Sequence, residues 1–152
     1  MRSSDALPET FVTLRFVGDE LDPSHVSAIL PVTPKRAHRK GEIFDAGARI
    51  GPLQGRTGVW YFDTRDLRSR DLLAHLRRIV KLLYPKPDDF DRVKRLQELL
   101  AREHARAEVS CFWYGKPGTD PPAIPQAIRD ALKPLQADTI ETEFHTAEPS
   151  FA

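Results

Sequence analysis

The sequence predicts an α+β fold in which helices cover one face of a largely antiparallel sheet. Three observations predict it. Val59 to Phe62 and Val109 to Tyr114 are short runs dense in aromatic and β-branched residues, the composition of strands. Between them, Leu72, Leu73, Leu76, Ile79, Val80 and Leu83 recur at helical spacing, and Phe90, Val93, Leu96 and Leu100 repeat the pattern. The resulting order, β-α-(β)-β-α-α-β-α-β, fits helices laid on one face of such a sheet.

At 152 residues the chain fits one α+β domain, residues 1–152, with 1–9 as a loose leader and 146–152 as a tail. It is long enough to bury a core without disulfides or a structural metal. Apolar residues make up 40% and charged residues 30%, a globular mix, and no apolar run reaches the roughly 20 residues of a membrane helix. The opening Met-Arg-Ser-Ser-Asp-Ala-Leu-Pro-Glu lacks the apolar stretch of a signal peptide, so the cytoplasm is the expected compartment and no membrane partner is expected.

In Phe11 to Val17, Val12, Leu14 and Phe16 share one face, while Thr13 and Arg15 share the other, which must reach solvent at Arg15. Gly18 ends this strand. Asp22 is placed to cap a short helix that has Pro23 at its first position, Val26, Ile29 and Leu30 as its apolar face and Pro31 as its stop. Val32 to Lys40 is extended by Pro34 and too polar for a central strand, which leaves an edge strand or a loop. After Gly41, Ile43 and Phe44 form a short apolar segment. Gly47, Gly51, Pro52, Gly55 and Gly58 then mark a long turn-rich connection.

Val59 to Phe62 suits a strand buried on both faces. Tyr84-Pro85-Lys86-Pro87 joins the two long helices into a helical hairpin, with Asp88 as the cap of the second. Glu108 to Tyr114 is the second apolar strand, and Gly115 to Pro122 is a loop. Ile124, Ile128 and Leu132 stripe a helix stopped by Pro134, and Thr139 to His145 alternates with Ile140, Thr142 and Phe144 inward. The expected architecture is a ferredoxin-like variant whose strand adjacency the sequence leaves open.

Several stretches of this chain resemble a known family. Leu14 to Asp22-Pro23 with its short helix, Pro34, Lys40-Gly41-Glu42, Gly58-Val59-Trp60 and the Leu-rich helix are similar to the bacterial domain-of-unknown-function family 4279. The similarity runs from Phe11 to Phe144. It implies a small intracellular α+β protein without an established activity, and it points by association towards immunity or accessory proteins. The family pattern supplies no catalytic residues to carry over.

The net charge of +1 conceals segregation. Lys35, Arg36, Arg39 and Lys40 have no acidic residue among them, whereas from Asp138 onward the chain has Glu141, Glu143 and Glu148 and neither Lys nor Arg. The expected binding surface is therefore Lys35, Arg36, His38, Arg39 and Lys40 with Arg56 from the glycine-rich connection. A solvated edge is the plainer explanation of the same residues.

Catalytic and metal signals are absent from local spacing. The five histidines form no HxH, HxxxH or HExxH pair, so no metal or other cofactor is expected. Asp71 and His75 stand four apart, the spacing of a helix-surface hydrogen bond. The lone Cys111 sits in an apolar run and reads as an inert core thiol. Gly51 to Gly58 lacks the Gly-Lys-Ser/Thr ending of a phosphate loop and precedes a strand, so its glycines permit turns.

These residues favour a non-catalytic protein-interaction module, immunity-type or regulatory, whose partner is another protein and whose oligomeric state the sequence leaves open. The alternatives are a small enzyme using His38, Glu42 or Asp63 as acid or base beside the long loop, and a nucleic-acid binder through residues 35–40 with Arg56 or Arg65 adding to the patch. Nucleic acid is not the expected partner, because Trp60 and Trp113 lie in core-like strands and leave no stacking platform.

Overall fold

The computed structural model describes residues 10–146. The expected leader, residues 1–9, and the tail beyond residue 146 lie outside them. The α+β class holds. A five-stranded sheet has the order β2-β5-β1-β6-β7, built from β1 (Phe11–Gly18), β2 (Arg36–His38), β5 (Gly58–Asp63), β6 (Arg106–Gly115) and β7 (Glu141–Thr146). All its pairs are antiparallel except β6 with β7.

Strand β1 is central because it can bury one face completely and still tolerate a polar row on the other. Val12, Leu14 and Phe16 are fully buried, and the register sets Leu14 beside Phe62 and Val109, and Phe16 beside Trp60 and Ala107. Helices cover this face: α1 (Pro23–Ser27), α2 (Leu72–Leu83), α3 (Asp91–Arg102) and α4 (Gln126–Leu132), the last continuing into a 3-10 turn at Lys133–Leu135. The Asp22 carboxylate accepts the Ser24 N–H at 3.0 Å, capping α1 as the sequence leads one to expect, and the Asp71 carboxylate accepts the Leu73 N–H at 3.0 Å, capping α2. Asp89, not Asp88, holds the start of α3, accepting the Asp91 N–H at 3.2 Å.

The two long helices are bridged by α4. Tyr84 Oη donates to the Ala131 carbonyl at 2.6 Å, and Gln97 Nε2 to the Pro134 carbonyl at 2.9 Å. Pro134 is the second residue of the 3-10 turn Lys133–Leu135, which continues α4 for one more turn before Gln136 ends it in the left-handed region, φ 56°. Phe90, expected on the buried face of α3, is 52% exposed, and Leu99 replaces it in the core.

Residues 32–58 contain more structure than a loop. The 35–40 segment supplies β2, an edge strand on β5, and the glycine-rich connection folds into a separate hairpin of β3 (Ile43–Asp45) and β4 (Pro52–Gln54). Gly55 is required where this hairpin returns to the sheet, since a Cβ there would lie 2.5 Å from His38 Cδ2 and 2.9 Å from the Arg39 carbonyl. Strand β5, expected to be buried on both faces, buries its hydrophobic side chains fully on one: Trp60 and Phe62 point under the helices, while on the other side Val59 and Tyr61 are half-buried and only Asp63 is buried.

Cys111 is buried against the helices, as its apolar context predicts. Burial pushes its thiol up to about 11, against the opposing hydrogen bond with the Thr142 hydroxyl. An aromatic disulfide reagent at pH 8 is expected to leave native Cys111 unmodified and to label it promptly in denaturant. Fast native labelling would contradict the burial. Among the described residues no helix is long and apolar enough to cross a membrane.

Candidate functional site

The sheet face opposite the helices carries a polar and aromatic surface, set out in rows by strand register. Arg36, Tyr61, Arg15 and Glu108 form one row across β2, β5, β1 and β6. Asp63, Thr13, Ser110 and Glu141 form the next, and Phe11, Phe112 and Glu143 a third. Side chains two apart on a strand share a face, which is why residues so distant in sequence meet here.

Charge divides along these rows. On the β2, β5 and β1 side stand Lys35, Arg36, Arg15 and Arg65, with the buried Asp63 among them. Lys35 Nζ lies 3.9 Å and Arg65 Nε 3.7 Å from the Asp63 carboxylate, which also accepts the Arg65 N–H at 3.1 Å. The Arg65 guanidinium sits 4.1 Å from the centre of the Phe11 ring, which stacks on Phe112 at 5.2 Å. On the other side Glu108 binds Arg15 Nε at 3.0 Å and Arg106 Nε at 2.8 Å. Burial alone would raise the Glu108 carboxyl, but these two guanidiniums prevail and hold it below the usual range. Glu141 and Glu143 are exposed on β7.

Tyr61 lies at the centre of a hollow of about 440 Å³ that Arg15, Lys35, Arg36, His38 and Val59 also line. Burial and the neighbouring Asp63 carboxylate raise its phenol, so near neutral pH it presents an O–H donor. His38 shares this face but is 5% exposed, stacked flat on Phe44 of the β3–β4 hairpin at 4.2 Å. Burial, reinforced by the Arg36 charge, lowers its pKa, and its Nδ1 has no hydrogen-bond partner among the described residues.

The basic run 35–40 is thereby split. Lys35 and Arg36 face the open sheet surface, His38 is roofed by Phe44, and Arg39 and Lys40 turn towards the β1–α1 connection. There Lys40 Nζ is 3.2 Å from Asp19 and Arg39 Nη1 4.0 Å from Asp22. Arg56 is exposed in the turn between β4 and β5. Arg15, Tyr61, Arg65, Phe11 and Phe112 belong to the same surface as Lys35 and Arg36; of these Arg15 carried a signal in its place on the solvent face of β1, and Arg65 in its charge as an addition to the basic patch.

The acid–base candidates occupy three different settings. His38 is enclosed, Glu42 accepts the Arg39 N–H at 2.9 Å in a turn, and Asp63 anchors Lys35 and Arg65. His75 is fully buried instead of lying on a helix surface, and its ring bonds Thr64 and Ser69 where an Asp71 contact was expected. Among the described residues no three His, Cys, Asp or Glu side chains converge as metal ligands. A larger hollow of about 850 Å³ between α2, α3 and α4 is walled by Val80, Tyr84, Phe90, Val93 and Ile128. Its charged groups, among them Lys81, Lys94 and Asp130, belong to exposed residues of these helices.

A family model described as a domain of unknown function (DUF4279) matches residues 8–141. The chain belongs to this family. No curated protein and no solved structure matches it significantly. In this DUF4279 chain the matched span includes the whole basic half of the open sheet face and Glu141, the first residue of β7.

Proposed function

We propose that this DUF4279 chain is a non-catalytic intracellular interaction module, immunity-type or regulatory, that takes an acidic protein surface on the basic half of its open sheet face. One observation carries the reading. A sheet face bearing half-buried rings, Phe11, Tyr61 and Phe112, alternates them with Arg15, Lys35, Arg36 and Arg65, and none of the helices among the described residues lies over it. Aromatic and Arg side chains together are the composition of interface anchors.

Single-stranded nucleic acid also stacks on such rings, but it needs a uniformly cationic track. Here Glu141 and Glu143 stand exposed on the same face and would repel phosphates. The mosaic favours a protein. Capture from the native host with wild type, Arg36→Glu/Arg65→Glu and Arg39→Glu/Lys40→Glu tests this. The first variant is expected to lose the partner and the second to keep it. Identical profiles for all three would remove the open face from the proposal, and retention on mixed RNA at low salt that fades steeply with added salt would favour nucleic acid.

A further inference from the structure

We propose that the hollow of about 850 Å³ between α2, α3 and α4 is a binding site for a small aromatic carboxylate, its rings on the apolar floor and its carboxylate between Lys81 and Lys94 at the rim. The site stands on the helix side of the molecule and does not depend on the open sheet face. Val93 and Ile128 are buried in its lining, and Val80 and Tyr84 are half-buried beside them.

The floor asks for an apolar body. Its polar groups are already paired, since Tyr84 Oη donates to the Ala131 carbonyl at 2.6 Å and Gln97 Nε2 to the Pro134 carbonyl at 2.9 Å. Burial raises the Tyr84 phenol, so the floor carries no negative charge at neutral pH. Size selects the class. Along α2 the lining runs from Arg77 to Tyr84, two helical turns or about 10 Å, and the volume then leaves a section about 9 Å wide. A helix with its side chains is about 10–12 Å across and could lie only over this opening, whereas small-molecule sites of about 300–1,000 Å³ are the usual size. Phe90 is 52% exposed and stands edge-on to Tyr84 at 6.0 Å, so a flat ring system entering beside them covers aromatic surface that otherwise faces solvent.

The rim supplies the charge. Tyr84 and Phe90 mark the corner where the two long helices join. One turn back along α2 stands Lys81 and one turn on along α3 stands Lys94, with Arg77 a further turn beyond Lys81. All three are exposed, line the hollow and pair with no carboxylate among the described residues, whereas their neighbours Arg78 and Arg95 are held by Asp66 and Asp91. Asp130, the one acid in the lining, accepts the Gln126 amide at 3.0 Å. A carboxylate at this rim gains charge-assisted hydrogen bonds from ammonium groups that hold no other anion, and a cationic head is repelled.

NMR titration of the isotope-labelled full chain with naphthoate tests this. Wild type is expected to show saturable shifts around Val80, Tyr84, Val93 and Ile128 with a dissociation constant of roughly 0.1–1 mM. Benzoate, with one ring fewer to bury, should bind about tenfold more weakly, and naphthylmethylamine, the same rings with an ammonium head, at least about tenfold more weakly. Lys81→Glu/Lys94→Glu should weaken naphthoate about tenfold or more and tighten the ammonium. Phe90→Ala should weaken both, and Arg36→Glu/Arg65→Glu on the sheet face should change neither. The same spectra show that each variant is folded. No saturation by about 10 mM naphthoate, shifts centred on Arg36 and Tyr61, equal affinities of wild type for the two heads, or an unchanged affinity in Lys81→Glu/Lys94→Glu would overturn the proposal.

Discussion

Trp60→Ala is expected to lower the free energy of unfolding by about 3–5 kcal/mol, the range for emptying a large buried aromatic site. Trp60 is 0% exposed in the sheet layer beneath the helices. Its ring meets Phe16 edge-on at 5.6 Å and lies 6.2 Å from Phe62, so truncation strips contacts from both neighbours at once. The indole N–H donates to Ser27 Oγ at 3.0 Å. Because Ser27 is exposed, water replaces that bond, and the loss comes almost wholly from packing. Trp60→Phe keeps a ring in the site and is expected to cost about half as much. Urea denaturation of both variants measures the difference. A shift below about 1 kcal/mol for the alanine variant would contradict the core position of this strand.

The parts of this fold that were legible in the sequence are those governed by local period. Val12, Leu14 and Phe16 alternate, Leu72, Leu76, Ile79 and Leu83 recur every three or four residues, and both patterns survive intact as buried faces. The cap at Asp22 was equally legible, because a cap acts within two residues of itself. Register was not legible. The row Arg36, Tyr61, Arg15 and Glu108 joins four distant segments, and no local pattern says that Arg15 will bind Glu108.

For the same reason the basic run 35–40 reads as one patch although the pleat of β2 and the turn after it send its members to three environments. His38 depends on Phe44 arriving from the hairpin, a contact made through a glycine-rich connection whose folding is set by turns and not by hydrophobic period. Edge positions were overestimated as core. Phe144 alternates correctly on β7, yet β7 ends the sheet and leaves it 52% exposed.

His75 is the clearest case of a buried polar residue that helix spacing assigns to the surface, and it leads to the second large effect. Thr64→Val is expected to destabilise the protein by about 2–4 kcal/mol although it preserves side-chain shape. Thr64 is fully buried at the end of β5, where its N–H donates to the Val12 carbonyl at 3.0 Å and its Oγ1 accepts the Val12 N–H at 2.9 Å. The same hydroxyl pairs with His75 Nδ1 at 2.6 Å. The Ser69 carbonyl can only accept, so at 2.7 Å it requires the proton on His75 Nε2, and the hydroxyl then donates to Nδ1. One oxygen therefore satisfies two buried groups, tying β1 to the first turns of α2. Valine leaves both without a partner, at about 1–3 kcal/mol for each unsatisfied group. Thr64→Ser keeps the hydroxyl and loses only a methyl, about 1 kcal/mol. The ordering Val worse than Ser, measured by urea unfolding, separates the hydrogen bonds from the packing. Equal stabilities for the two variants would mean that the hydroxyl carries no net stabilisation, and the Val12–Thr64–His75 chain would then be packing alone.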